Sequence, residues 1–111
     1  MGWARISYTS PMTCLVLQIV RFVDEYQPGI VACEFHDALG LVHTLVDKAP
    51  YFSEEDFWWD SQYPQPGDVP CEVLKRWQDA SGRRLARITS LESTTGQKEF
   101  TVFESQLIEA S

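Results

Sequence analysis

The alternation of apolar and polar residues along the chain is typical of a β protein, with short runs separated by turn residues. Positions 14–25 (CLVLQIVRFVDE) are almost continuously apolar, which is the pattern of a central strand or of a strand bent across a barrel. Five further segments have the composition of strands and are bounded mostly by glycine or proline. In chain order they are IVACEFHD, LVHTLVDK, DVPCEVLKRWQD, RRLARITSLE and EFTVFESQL.

Glycine-bearing turns connect these segments. The turns DALG (37–40) and DASG (79–82) share an Asp-x-x-Gly pattern. The aspartate of such a turn can accept hydrogen bonds from the turn backbone, and the glycine takes the left-handed position of a bulged hairpin. We therefore predict two hairpins with a positive φ at Gly40 and Gly82. The segment STTGQ predicts a third turn before the last strand.

A nine-residue pattern occurs twice, as QPGIVACEF at 27–35 and as QPGDVPCEV at 65–73, with six identical positions. In each copy, Pro-Gly suits the middle of a type II turn that leads into a strand. The pattern is compatible with a duplicated ββ unit and with repeated use of a common turn solution. Under both interpretations it builds a hairpin and carries no chemistry.

The segment YFSEEDFWWDSQYP interrupts the strand pattern between the third and fourth strands. Ser53 is a good N-cap, the acids after it lie where the helix dipole favours them, and Phe52 can pack on Phe57. The segment therefore predicts a helix of about one to two turns that plugs or covers a barrel. The predicted fold class is mainly β: a small six-stranded antiparallel barrel, closed or half-open, built from hairpins, with this one short helix.

A chain of 111 residues, of which 44% are hydrophobic, can form one domain with a substantial core. We expect residues 14–111 to form a single β-barrel-like domain. Residues 1–13 are expected to be a disordered N-terminal extension, and both Met1 and Met12 are candidates for the natural start.

The net charge is −7, from 16 acidic and nine basic residues. This balance disfavours nucleic acid and anionic membranes as partners, because both require a basic face, and it suits a basic protein partner. The longest apolar run, CLVLQIV, is too short to span a bilayer. Three cysteines without metal-ligand spacing indicate reduced thiols and a cytoplasmic location. We expect Cys33 and Cys71 to be mostly buried, unpaired and structural.

The strongest candidate for a functional surface is the segment SEEDFWWD at 53–60. Phe57, Trp58 and Trp59 are consecutive, and a short helix cannot bury all three on one face. At least one tryptophan would then be exposed among acids, an arrangement suited to a basic protein partner. In the alternative interpretation, both tryptophans close the mouth of the barrel. The predicted partner-binding residues are Trp58, Trp59, Glu54, Glu55, Asp56 and Asp60.

A second candidate is a polar cluster at the first hairpin. Glu34 and His36 share one face of a strand by alternation, and His43 would join them if it lay opposite Glu34. A zinc site needs further ligands in fixed geometry, so we predict no metal; the alternative is a polar outer face of the hairpin. The sequence has no phosphate-binding loop, nucleophile elbow or metal signature. We therefore predict no catalytic residue and no cofactor.

Part of the chain resembles a group of short bacterial proteins without an established activity. The resemblance extends from about Val20 to Leu107, implies no catalytic or binding residue, and is carried by HTLVDKAP, YPQPG, CEVLKRWQDASGRRLARI and STTGQKEFTVF. The segment LVHTLVDKAPYF is also similar to a segment in the third domain of elongation factor Tu, a six-stranded β-barrel. That similarity implies the barrel topology, does not extend to a role in translation, and is carried by His43, Thr44, Pro50 and Phe52.

Together these features predict a non-catalytic, acidic protein-binding domain. Bacterial immunity proteins are small, often acidic and free of catalytic motifs, and they oppose basic toxins, so an immunity protein is the concrete form of the prediction. One alternative is a small ligand-binding or enzymatic β-barrel that uses the barrel mouth with His43. Another is a structural or oligomeric role, since the sequence pattern does not fix the oligomeric state.

Overall fold

The computed structural model describes residues 12–25 and 28–110, which form eight β-strands and two short 3₁₀ helices. The expected N-terminal extension lies outside the described residues, except for positions 12 and 13, which begin the first strand. The 3₁₀ helices are Ala49–Tyr51 and Glu104–Gln106. The strands are β1 (Met12–Asp24), β2 (Ile30–His36), β3 (Val42–Lys48), β4 (Gln65–Pro70), β5 (Glu72–Gln78), β6 (Arg84–Thr89), β7 (Glu99–Phe103) and β8 (Leu107–Ala110).

The long strand β1 is the centre of a five-stranded sheet. It pairs antiparallel with β8 through residues 12–15, with β4 through residues 14–19 and with β2 through residues 18–24. Because the β1 residues that pair with β4 overlap with those that pair with β8 and β2, β4 lies on one side of β1 and both β8 and β2 lie on the other. Strand β3 extends the sheet beyond β2. Two register shifts between β1 and β2 bend the strand. Leu15, Leu17 and Ile19 are buried and alternate with exposed residues, so one face of this part of β1 lies in the core.

A second sheet has three strands in the order β5-β6-β7. The chain passes from the first sheet to the second at Cys71, between β4 and β5, and it returns through the 3₁₀ helix between β7 and β8. These two crossings divide segments that the sequence pattern predicts as single strands. The structure therefore has eight strands where six are predicted.

Side chains from both sheets meet in one core. Each large apolar side chain that is fully buried stabilises the fold by about 1.5–3 kcal/mol, so the contact between the sheets is the main source of stability. Loop residues complete the core as well as strand residues. Its members include Leu15, Leu17 and Ile19 of β1, Val31, Cys33 and Phe35 of β2, Ile88 of β6, Phe100 and Val102 of β7, Ala49 of the first 3₁₀ helix, and the loop residues Phe52 and Phe57.

The mainly β, antiparallel fold class is confirmed, but two of its predicted details differ from the structure. Strand pairing among the described residues gives two separate sheets, and these are not closed into a barrel. The helix predicted after Ser53 is wrong: residues 12–25 and 28–110 contain no α-helix. The Ser53 hydroxyl does accept the backbone N–H of Glu55 at 3.0 Å, as an N-cap would. No α-helix follows, and the backbone N–H of Trp58 donates to the Ser61 hydroxyl.

The predicted hairpin turns are confirmed. Gly40 has a φ of 87° and Gly82 a φ of 88°, a conformation that other residues rarely adopt. In each turn, one carboxylate oxygen of the aspartate (Asp37 or Asp79) accepts the backbone N–H groups two and four residues later. The third turn uses the Ser93 hydroxyl for the same two bonds, although at 3.4 and 3.2 Å. One turn geometry therefore occurs three times.

The two copies of the nine-residue pattern have different structures. In the first copy, the Pro-Gly pair precedes β2 and Gly29 has a φ of 102°, as a turn requires. In the second copy, Pro66 and Gly67 lie inside β4, so the predicted second turn is wrong. A Cβ atom at Gly67 would lie 3.0 Å from both the Ile19 side chain and the Phe52 carbonyl oxygen. This glycine is therefore needed for close packing and not for a turn.

Candidate binding site

The loop at 52–64, between the first 3₁₀ helix and β4, carries the candidate surface. Phe52 and Phe57 are buried in the core, and Tyr63 stacks on Phe57 with ring centroids 6.2 Å apart. The carbonyl oxygen of Phe52 accepts the backbone N–H of Asp68 in β4 at 2.9 Å. The loop is therefore fixed to the core although it has no regular secondary structure.

Trp58 and Trp59 are exposed on this loop. Their exposed fractions are 59% and 58%, against 4% for the preceding Phe57. The three consecutive aromatic residues are thus divided into one core anchor and two surface residues. Neither tryptophan fills the interior, so the alternative in which both close a barrel mouth does not hold.

Hydrogen bonds hold the first of these tryptophans in place through its backbone. The Trp58 backbone N–H donates to the Ser61 hydroxyl at 2.9 Å, and its carbonyl oxygen accepts the Tyr63 hydroxyl at 2.7 Å. The backbone from which the Trp58 ring projects is therefore bonded on both its donor and its acceptor side.

The second tryptophan is held through its ring. The Trp59 indole Nε1 donates to Glu25 Oε2 at 2.9 Å. The Trp59 ring also packs edge-to-face against the Phe22 ring, with centroids 4.8 Å apart and an interplanar angle of 73°. The Trp59 side chain is more than half exposed and still has a defined orientation.

The two tryptophans border a surface hollow of about 590 Å³, which we call the acidic-aromatic hollow. Its walls combine four aromatic rings with three carboxylates. Among the residues that the structure describes, no Lys or Arg lines it. The lining residues are Phe22, Glu25, Pro28, Gly29, Asp56, Phe57, Trp58, Trp59 and Asp60.

The four acids that the sequence predicts as partner-binding residues do not act as one group. Asp56 and Asp60 line the acidic-aromatic hollow, one on each side of the aromatic triplet in the sequence. Glu54 lines a separate hollow of about 400 Å³, whose other lining residues include Val16 and Ile108. Glu55 is exposed and lines neither hollow. Only two of the four acids therefore share a site with the tryptophans.

Glu25 is the carboxylate of the hollow that the sequence analysis did not predict. It follows the end of β1 and lies 34 positions before the tryptophan to which it is bonded. No pattern in the sequence links two positions so far apart. Only the fold, which brings the end of β1 beside the 52–64 loop, assembles the third carboxylate.

The charges of the hollow are uncompensated within the described part of the chain. Asp56 and Asp60 take part in none of its ion pairs. Three of the five basic residues of β5, β6 and the turn between them, in contrast, form ion pairs with acidic residues. The pairs are Arg76–Glu104 at 3.2 Å, Arg83–Asp79 at 2.9 Å and Arg87–Glu99 at 3.3 Å.

The predicted polar cluster of Glu34, His36 and His43 is not assembled. The β2–β3 register pairs Glu34 with Thr44, and it pairs His43 with Phe35. A difference of one residue in register moves a side chain to the opposite face of a sheet. Glu34 and His36 are therefore on the more exposed face, whereas His43 is buried on the core face.

His43 forms a buried pair with Asp37. Its Nε2 lies 2.8 Å from Asp37 Oδ2, and its ring packs against Phe35 and Phe100 at centroid distances of 5.3 and 4.8 Å. Burial acts to raise the pKa of Asp37, but hydrogen bonds from His43 and from two backbone N–H groups of the turn outweigh it. The pKa of Asp37 is therefore lowered from its ordinary value of 3.8, and its ionised carboxylate accepts a hydrogen bond from the Nε2–H group of His43.

The cysteines have the properties of structural thiols. Cys33 is fully buried, and burial raises its pKa to about 12. Cys71 is only partly buried because it lies at the crossing between the sheets, and burial is the main cause that raises its pKa to about 11. Neither forms a disulfide, and both are protonated and weakly nucleophilic at neutral pH. Within 12–25 and 28–110, no group of three or more His, Cys, Asp or Glu residues could hold a metal ion.

No helix within the described ranges has the length and apolar character needed to cross a membrane. Comparison of the chain with known protein families, with curated proteins and with solved structures found no match. The geometry of the acidic-aromatic hollow is therefore the basis for assigning a function.

Proposed function

We propose that the protein is a non-catalytic binding domain that recognises a basic protein partner at the acidic-aromatic hollow. The observation that carries this proposal is the exposure of Trp58 and Trp59 beside carboxylates without ion pairs. Tryptophan is enriched among the residues that dominate binding energy at protein interfaces, and a charged rim steers a partner of opposite charge. Exposed aromatic surface of this kind marks an interaction site.

The rigidity of the hollow supports the same function. Binding costs free energy for every side chain that has to be ordered at the interface, about 0.5–1.5 kcal/mol for each flexible one. The Trp59 ring is already oriented by Glu25 and Phe22, and the Trp58 backbone is already bonded on both sides. A partner would therefore meet a surface that needs little rearrangement.

An immunity protein that neutralises a basic toxin is the concrete form of this proposal. The net charge of −7 favours rapid association with a basic protein, and neutralisation by binding requires no catalytic group. An enzyme or ligand-binding site at His43 has less support, because this histidine is buried and its Nε2 is bonded to Asp37.

Affinity capture from the native host tests the proposal. The wild type is compared with the double variant Trp58→Ala/Trp59→Ala and with the control Leu39→Ala/Leu41→Ala, which removes two exposed apolar side chains at the β2–β3 turn. We expect the wild type and the control to retain a basic protein that is eluted as the salt concentration rises, and the tryptophan variant to lose it. Equal retention by the tryptophan variant would contradict the proposal.

If the captured protein is a toxin, a growth assay follows directly. Cells that produce the toxin should grow when they also produce the wild-type protein or the Leu39→Ala/Leu41→Ala control. They should fail to grow with the tryptophan variant, provided that immunoblotting shows equal amounts of all three proteins. Growth rescue by the tryptophan variant would show that neutralisation of the toxin does not require the tryptophans of the hollow.

A further inference from the structure

We infer that the acidic-aromatic hollow is a subsite for a guanidinium group, which an arginine side chain of the partner supplies. The inference rests on the proposed function, because it names the group that the basic partner places between the tryptophans and the carboxylates. The inference specifies that the hollow binds a planar cation in preference to other positively charged groups.

The aromatic walls favour a planar cation. Indole attracts cations more strongly than the other aromatic side chains, and guanidinium stacks on an aromatic face and is more weakly hydrated than ammonium. Trp58 and Trp59 both border the hollow, and the largely buried rings of Phe22 and Phe57 form other parts of its wall. A partly dehydrated cation is bound better in such surroundings than one surrounded by water.

The carboxylates supply hydrogen-bond acceptors for the same cation. Asp56 and Asp60 line the hollow without an ion pair, and Glu25 uses Oε2 to accept the Trp59 indole N–H. A carboxylate can accept two parallel N–H bonds from one guanidinium group, whereas an ammonium group acts as a point charge. Rings and carboxylates in one hollow therefore match both properties of an arginine side chain.

Other aromatic rings of the protein already carry cations from the chain itself. The Arg83 guanidinium lies 5.4 Å from the Phe103 ring centroid, and the Lys75 ammonium lies 5.4 Å from that of Trp77. Among the described residues, no Lys or Arg lies over Trp58 or Trp59 in this way. The described part of the chain thus supplies no cation to the exposed pair of indoles, although the surrounding charge is negative.

The size of the hollow fits a side chain that remains part of a larger partner. Its volume of about 590 Å³ lies within the range of small-ligand sites, roughly 300–1,000 Å³, and exceeds the volume of one guanidinium group. The remaining space would accept the aliphatic stem of the arginine and its neighbouring backbone. A free small cation would leave this space to water.

Titration with blocked tripeptides tests the inference. The probes are acetyl-Gly-Arg-Gly-amide, the same peptide with lysine, and the same peptide with citrulline, which keeps the planar shape without the charge. Binding is followed by the NMR shifts of the Trp58 and Trp59 indole N–H groups. We expect the arginine peptide to bind about fivefold or more tightly than the lysine and citrulline peptides. Equal affinity of either control peptide, or an absence of shifts at both indoles, would overturn the inference.

A matched pair of double variants locates the site. Asp56→Asn/Asp60→Asn and Glu54→Gln/Glu55→Gln remove the same charge, but only the first pair lines the hollow. We expect about a fivefold or greater loss of arginine-peptide affinity in the first and less than about a twofold change in the second. Equal losses would show a general charge effect and overturn the assignment. All four residues are exposed, so the fold is expected to tolerate both changes, and thermal unfolding of each variant checks this.

Methylguanidinium distinguishes a side chain of the partner from a free cation. Binding of methylguanidinium as tight as that of the arginine peptide would contradict the assignment to an arginine of the partner. The capture experiment gives a separate result for the proposed function: if the tryptophan variant loses the partner but no peptide binds the hollow, the proposed function stands and the guanidinium subsite fails.

Discussion

The Asp37–His43 pair and the acidic-aromatic hollow both contain polar or charged side chains, but they differ in how far those side chains are exposed to solvent. The Asp37–His43 pair at the β2–β3 hairpin is enclosed: each residue is 7% exposed, and the two are joined at 2.8 Å. The acidic-aromatic hollow presents two tryptophans that are more than half exposed, next to carboxylates without ion pairs.

The difference separates groups that stabilise the fold from groups that are exposed to solvent. A buried charged group is tolerated when its hydrogen-bonding capacity is satisfied, and all buried side-chain N and O atoms of the described residues have partners. The exposed indoles contribute less to the fold: Trp59 contacts Glu25 and Phe22, but full burial of either indole would require a second molecule. The histidine is therefore assigned to the fold, and the tryptophans are the residues that we propose for recognition.

The largest expected effect is on the buried pair. His43→Ala leaves the Asp37 carboxylate buried without its side-chain partner and creates a cavity between Phe35 and Phe100. We expect the free energy of unfolding to fall by about 3 kcal/mol, measured by urea denaturation. The control is His36→Ala in the same hairpin, where the exposed side chain should contribute less than about 0.5 kcal/mol. Equal effects of the two variants would refute the structural role of the pair.

The opposite result is expected for the tryptophans. Truncation of Trp58 or Trp59 to alanine should weaken binding of the captured partner by about 2 kcal/mol or more, measured by calorimetry. The free energy of unfolding should change by less than about 1 kcal/mol, because both side chains are more than half exposed. If the tryptophan variants lost as much stability as His43→Ala and kept their affinity for the partner, the proposed binding role of the tryptophans would be contradicted.

A smaller loss of stability is expected when the positive-φ glycines of the turns are replaced. Gly40→Val and Gly82→Val should each lower the free energy of unfolding by about 1 kcal/mol or more, because both positions have a positive φ. A Cβ at Gly40 would meet no atom within 4 Å, so backbone strain alone accounts for the expected loss there. Ala80→Val, in the same turn as Gly82, is the control. Similar effects of Ala80→Val and Gly82→Val would mean that the positive φ is not the cause.

The smallest expected effect is a dependence of stability on pH. Hydrogen bonds lower the pKa of Asp37 from 3.8 in the folded protein, so its carboxylate contributes stability that is fully present above about pH 4. That contribution is lost as the pH falls through the lower folded pKa. Urea denaturation between pH 6 and pH 2 should therefore show a steeper acid loss for the wild type than for Asp37→Asn. Parallel curves would contradict the lowered pKa.

The parts of the fold that the sequence predicts are those with local causes. The Asp-x-x-Gly turns depend on one side chain and one glycine within four residues, so their geometry follows from the sequence. Most strands follow from alternation for the same reason. The chain crossings at Cys71 and at Glu104–Gln106 depend on which sheet each half of a segment joins, and alternation continues through both.

The candidate site was predictable only in part. The expectation of an exposed tryptophan among acids is derived from a helix that the described residues do not form, and Trp58 and Trp59 are exposed on an irregular loop instead. The helix prediction failed because its cap signal at Ser53 is local, whereas burial of both Phe52 and Phe57 is decided by the core. Glu25 could not be assigned to the hollow, since only the tertiary fold places it beside Trp59.

The central claim is that the hollow presents exposed indoles in a negative field, and charge-dependent quenching of tryptophan fluorescence tests it most directly. Fluorescence of Trp58 and Trp59 is obtained as the difference between the wild type and Trp58→Phe/Trp59→Phe, and it is measured against neutral acrylamide, cationic caesium and anionic iodide. We expect strong quenching by acrylamide and a preference for caesium over iodide, relative to free tryptophan, that decreases in Asp56→Asn/Asp60→Asn. Protection from acrylamide, or a caesium preference that is unchanged in the asparagine variant, would contradict the account.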